Sequence, residues 1–235
     1  RGSQLVRSTL KQVSSPVGAV ALPIMGRLQN EPVRLINFAH KVQIAVGYPT
    51  AFAVSLIIAL PSDVVRIALG DGWHEANPIV VWMAVAVLMA VVTDVASLLM
   101  IACGAAGALA KVSLSITSAN VVGVLVGVTY GIEGVAIGMA VAAVVCVPLS
   151  LIVLARATLL PVAGVAWGVV RLTGAMCVAA LLAHLVCADL AVGSAGRLLV
   201  AALVSAGSFL ALVVIVPVRR DFQSLVQMGR AALRR

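Results

Sequence analysis

Six polar side chains, Gln4, Arg7, Ser8, Lys11, Gln12 and Ser15, recur at steps of three and four residues near the start of the chain. On a helix that spacing gathers them on one face. Lys11 then stands roughly 12 Å inside a helix that begins near residue 3, at about 1.5 Å per residue. One reading is a cation-lined, water-filled cavity suited to an anionic ligand, with Arg7, Lys11, Gln12 and Ser15 as its binding residues. The plainer reading is that the long side chains snorkel to headgroups near a truncated end. Two further charges interrupt apolar runs. Asp94, in VVTDVASLL, needs a cation from another helix, or it is a protonation site in a coupling step. Arg171 lies about two turns into its run; it either snorkels to the headgroups or contacts a lipid phosphate. Asp94 and Arg171 are therefore the coupling or ion-pair candidates.

Enzyme chemistry finds little to work with. His74 and Glu75 are adjacent, but no nucleophile or metal partner lies near them in the chain, so they read as a polar interfacial turn. There is no Ser–His–Asp set, no metal-ligand cluster and no phosphate-binding glycine loop. Cys103, Cys146, Cys177 and Cys187 sit in or at the ends of apolar runs without a CxxC pair, as small core residues do. No catalytic residue, metal or cofactor is expected.

The elements that would position these residues follow from composition. Of 235 residues, 63% are hydrophobic and 10% charged, and the mean hydropathy is +1.17. A soluble domain is about half apolar and a quarter charged. The apolar runs are continuous and do not alternate, so the spans are helices and not barrel strands. The expected fold class is all-α and polytopic, with about seven transmembrane helices. They are placed at 3–27, 37–60, 78–102, 109–130, 132–155, 163–187 and 196–217. The first is interrupted by Pro16 and Pro23 and is poor in hydropathy. Pro49 and Pro148 predict kinks. Gly123, Gly127, Gly134 and Gly138 have small-xxx-small spacing around the short turn YGIEG, which predicts a tight antiparallel hairpin.

The net charge of +8 does not indicate nucleic acid, because the cations fall in short loops and in the tail. One set of loops holds Arg27, Arg34, Lys41, Lys111 and Arg156, then the tail with Arg219, Arg220, Arg230, Arg234 and Arg235. The other set holds Asp63, Asp71, Glu75, Glu133 and Asp189, with Arg66 and Arg197. The basic side is expected to be cytoplasmic, and with it the C-terminus. The longest loop, IALPSDVVRIALGDGWHEANP, reads as a short amphipathic segment on the outer interface, with Trp73 in the aromatic belt.

The run ALPIMGRLQNEPVRL resembles a recurring segment of the bacterial polysaccharide transporter family. These are Wzx-type oligosaccharide flippases of the multidrug/oligosaccharidyl-lipid/polysaccharide exporter superfamily. VVRIALGDGWHEANPIV, IACGAAGALAKVS and TYGIEGVAIGMAVAAVVCVPLSL are similar to further family segments in the same order. Together they span most of residues 10–155. ALP stands where the family usually has an aromatic before the proline. The resemblance implies about 12–14 helices in two pseudo-symmetric bundles that rock to alternate access. The chain would supply most of the second bundle, with five helices in 1–155, an extra helix pair in 156–217 and a basic tail in 218–235. It begins at Arg1, and the front bundle with the first helix of the second is expected on a missing N-terminal half. The implied substrate is an undecaprenyl-pyrophosphate-linked oligosaccharide, whose dianionic pyrophosphate suits a cationic cavity. Membrane lipids, a polysaccharide polymerase and chain-length proteins are the other expected partners, in the bacterial inner membrane. A drug exporter of the same superfamily and a non-transporting scaffold in a polysaccharide assembly complex are the rival readings. An acidic cavity would favour the first rival.

Overall fold

The structure, a computed structural model, describes residues 18, 20–70, 72–158, 160, 162–188 and 193–215. Among them every regular element is a helix. Helix α1 is seen over 20–27. It is followed by α2 (Pro32–Ala59), α3 (Pro61–Leu69), a single 3₁₀ turn (His74–Ala76), α4 (Asn77–Ala102), α5 (Ala106–Val128), α6 (Gly131–Thr158), α7 (Ala163–Ala188) and α8 (Ser194–Ile215). Six of these, α2 and α4 to α8, are long and apolar enough to cross a membrane. The chain is an all-helical, polytopic membrane protein. Most of the expected first span lies outside the described residues; the other six stand where the apolar runs predicted.

The clearest difference is the start of α2. It begins at Pro32, five residues earlier than the hydropathy suggested. Proline at the first helical position carries a preset φ and gives up only an N–H that has no intrahelical partner. Arg34 therefore lies in the first turn, 2.8 Å from Glu31. Lys41 lies well inside the helix and not in the preceding loop. The predicted interfacial segment contains α3, which buries Asp63 and Val65 and exposes Ile67 and Leu69; Trp73, beyond its end, is exposed as well.

Two pairings organise the bundle. Helices α5 and α6 run antiparallel as the glycines predicted. Gly123 lies against the backbone of Gly138, and Gly127 against that of Gly134. Gly131 makes the turn at φ +83°, a conformation costly for residues with a Cβ. Helices α2 and α7 run parallel in constant register. Gln43 meets Gly168, Gly47 meets Leu172, and His184 Nδ1 donates to the Ala59 carbonyl at 3.1 Å. Each pair is offset by 125 residues, so the contact follows the two helices for most of their length.

Helix α4 contacts both α2 and α6. Its span is the most buried of the six and that of α5 the least, which marks α4 as the core helix and α5 as an outer one. Leu35, Val95, Leu99, Met100, Leu154 and Val165 join Ala21 and Met25 of α1 in one core cluster. Phe209 of α8 packs edge-on against Tyr48 and Phe52 of α2, with centroids 6.0 and 6.2 Å apart. Helix α4 closes with Gly104 at φ +68°; the Ala105 and Gly104 N–H groups donate to Met100 and Ile101, at 2.9 and 3.0 Å. That satisfies two carbonyls left over at the helix end.

At the end of the bundle that carries α3, Arg197 ties three elements together. Its guanidinium donates to the Cys187 carbonyl at 3.1 Å and lies 3.7 Å from Asp63. Arg197 is one of the two cations that stood against the charge asymmetry of the loops, and it is neutralised there by a carboxylate from the same set. The Asn77 side-chain amide donates to Ser62 Oγ at 3.0 Å, holding the start of α4 to α3.

Candidate functional site

Arg7, Lys11, Gln12 and Ser15 lie outside the described residues. The two charges expected inside spans are both described, and they occupy different surroundings.

Asp94 is on an exposed side of α4, together with Ala90 and Ile101. It is eight residues from the helix end, roughly 12 Å at about 1.5 Å per residue. The neighbouring hydroxyls are committed to the helix itself. Thr93 Oγ1 donates to the Ala90 carbonyl and Ser97 Oγ to the Thr93 carbonyl, both at 2.8 Å. Such back-bonding lets hydroxyls sit in an apolar span without another partner.

Arg171 is eight residues into α7, half-buried, and faces α2. With His40, Gln43, Tyr48, Gly168 and Leu172 it lines a small cleft between the two helices. The room it leaves for water centres is about 10 Å³. His40 is eight residues into α2; in the same register it stands level with Val165, six residues before Arg171 on α7, and both side chains line the cleft. Gln43, one turn further on, is only 2% exposed. Its Nε2 donates to the Val165 carbonyl at 3.3 Å, while its Oε1 is buried with no hydrogen-bond partner among the described residues. A Cβ at residue 168 would come within 2.8 Å of that oxygen and 3.1 Å of the His40 ring. Gly168 is therefore what leaves room for the polar pair.

Asp94 is not among the residues that line the cleft, and its helix packs against α2, as α7 also does. His40, Gln43 and Tyr48 were not singled out from the sequence. The available signal was a histidine and a glutamine three residues apart inside an apolar run, the i, i+3 spacing that places two side chains on one helix face. Chemically the cleft offers an imidazole, a guanidinium, an amide and a phenol, which is a hydrogen-bonding set and not a metal site. No three His, Cys, Asp or Glu side chains converge among the described residues. On the outside of α5 and α6 runs a broader open groove of about 820 Å³. Valines and the four hairpin glycines dominate its lining, which suits apolar chains.

Neither the curated proteins nor the solved structures yield a match. A family model does: residues 1–78 match the family described as polysaccharide biosynthesis protein. The matched stretch contains the expected cationic face, α1, all of α2 and α3, and the segment ALPIMGRLQNEPVRL that carried the resemblance. The match covers the first third of the chain, and it is consistent with the polysaccharide transporter family that the sequence resembles.

Proposed function

We propose that the protein is a flippase subunit or segment that moves a lipid-linked oligosaccharide across the bacterial cytoplasmic membrane. The observation that carries this reading is the family match over residues 1–78 in a chain of six described apolar spans. A polysaccharide-synthesis protein built of spanning helices has a transport task open to it: sugar units made on one side must reach the other. An undecaprenyl-pyrophosphate carrier has an apolar tail that stays in lipid and an anionic head that must be shielded. Arg7 and Lys11, with Gln12 and Ser15, are the residues assigned to that head. Asp94 and Arg171 are assigned to ion pairing or coupling within the bundle. The protein acts as a transporter and not as an enzyme, with its C-terminus in the cytoplasm by the charge of its loops. The other half of the transporter, a polymerase and chain-length proteins are its proposed partners, in lipopolysaccharide, capsule or exopolysaccharide assembly.

Reconstitution tests the reading. Proteoliposomes carrying the protein and its other half should move a fluorescent lipid-pyrophosphate oligosaccharide from one leaflet to the other. Lys11→Ala and Arg7→Ala should slow that movement at least tenfold without lowering insertion. Equal rates in protein-free liposomes would refute it.

A further inference from the structure

Gln43 is the most deeply buried side-chain amide described, at 2% exposure, and only half of it is satisfied. Its NH₂ group donates to Val165; its Oε1 has no hydrogen-bond partner among the described residues. An unmet buried carbonyl bears its full desolvation penalty, and lipid supplies no donor to meet it. Exchanging the amide's O and N would turn Oε1 towards the Val165 carbonyl, setting acceptor against acceptor. The orientation is therefore fixed, and Oε1 calls for a donor from the cleft. The room there, about 10 Å³ for water centres, matches the roughly 10–15 Å³ that one water molecule requires. His40, Tyr48 and Arg171 line the same cleft and supply the further polar contacts a buried water needs, about two to four in all.

We propose that the α2–α7 cleft binds a single structural water, which donates to Gln43 Oε1 and is held by the polar groups of His40, Tyr48 and Arg171. The ligand is water and not an anion, because the deepest group is a carbonyl oxygen and the space admits one small molecule. The site pins two apolar, parallel helices at one depth, where Gly168 keeps the floor open. It is independent of the transport reading.

Radiolytic hydroxyl-radical footprinting with mass spectrometry tests this on the protein in lipid nanodiscs, since radicals formed from a bound water modify the side chains around it. In the wild type, His40 and Tyr48 should be oxidised, while the more reactive but fully buried Met100 stays intact. After rapid mixing into ¹⁸O-water, label at His40 should lag behind label at the exposed Trp73. In Gln43→Leu, oxidation of His40 and Tyr48 should fall at least fivefold. Intact His40 and Tyr48 in the wild type would overturn the proposal. So would ¹⁸O label appearing at His40 as fast as at Trp73, which would mean bulk access. The wild-type readings stand even if Gln43→Leu does not fold.

Discussion

Alanine at Gly123 should destabilise the protein, while alanine at Gly174 should not. At Gly123 a Cβ would lie 2.5 Å from the Gly138 carbonyl oxygen and 2.9 Å from its carbon. That is about 0.9 Å inside the 3.4 Å at which ordinary contact begins. The obstacle is backbone, so no rotamer change relieves it; α5 and α6 must move apart. A gap of about 0.5–1 Å forfeits a quarter to a half of the dispersion between facing atoms, and overpacking of this kind costs about 1–3 kcal/mol. Alanine returns about 1 kcal/mol through helix propensity. The net expectation for Gly123→Ala is a loss of up to about 2 kcal/mol. Gly174 has nothing within 4 Å of a built Cβ, so Gly174→Ala keeps only the propensity gain of about 1 kcal/mol. Unfolding by SDS titration in mixed micelles, with helix content as the signal, measures both. Once Gly123→Ala has opened the hairpin, Gly138→Ala should add less than its own cost, because the two residues face one another. Equal stability of Gly123→Ala and Gly174→Ala would refute the close-packed hairpin.

Three other outcomes follow from the geometry. Arg197→Ala should cost about 1–2 kcal/mol and loosen α3 from α7 and α8, read as faster proteolysis between residues 188 and 194. Arg197→Lys should not restore it, since one ammonium replaces a fork that reaches both Cys187 and Asp63. Burial pushes the Cys103 thiol above the ordinary cysteine value. With the other three cysteines changed to alanine, its alkylation should be slower than that of a free thiol at pH 8, with a rate midpoint displaced upward. The sign for stability follows: the neutral thiol's contribution is full below the unfolded value and is lost as pH rises through the folded one. A fluorescent protein fused after Arg235 should light in the cytoplasm, and an alkaline phosphatase fused there should stay inactive.

Spans and hairpin were legible because their signals are local. Continuous Ala, Val and Leu runs of membrane length gave six helices to within a few residues, and glycines at 123, 127, 134 and 138 gave the α5–α6 contact. Pro32 misled the boundary of α2 because a hydropathy reading sees charged Arg34 and Lys41, whereas the helix start is set by proline geometry. The α2–α7 pairing was hidden for a different reason. A helix apolar on every side shows no stripe to say which face meets protein and which meets lipid. Its partners, Gly47 with Leu172 and Gln43 with Gly168, lie 125 residues apart. Arg171 was legible as a costly charge in a span, but its neighbours His40 and Gln43 emerged only with that pairing.

The most direct test of the transport claim asks which leaflet holds the lipid-linked oligosaccharide when the gene encoding this chain is deleted. The account predicts that the intermediate accumulates in the cytoplasmic leaflet, that the wild-type gene releases it, and that Lys11→Ala, inserted at normal levels, does not. An intermediate that reaches the outer leaflet without the gene would contradict the account.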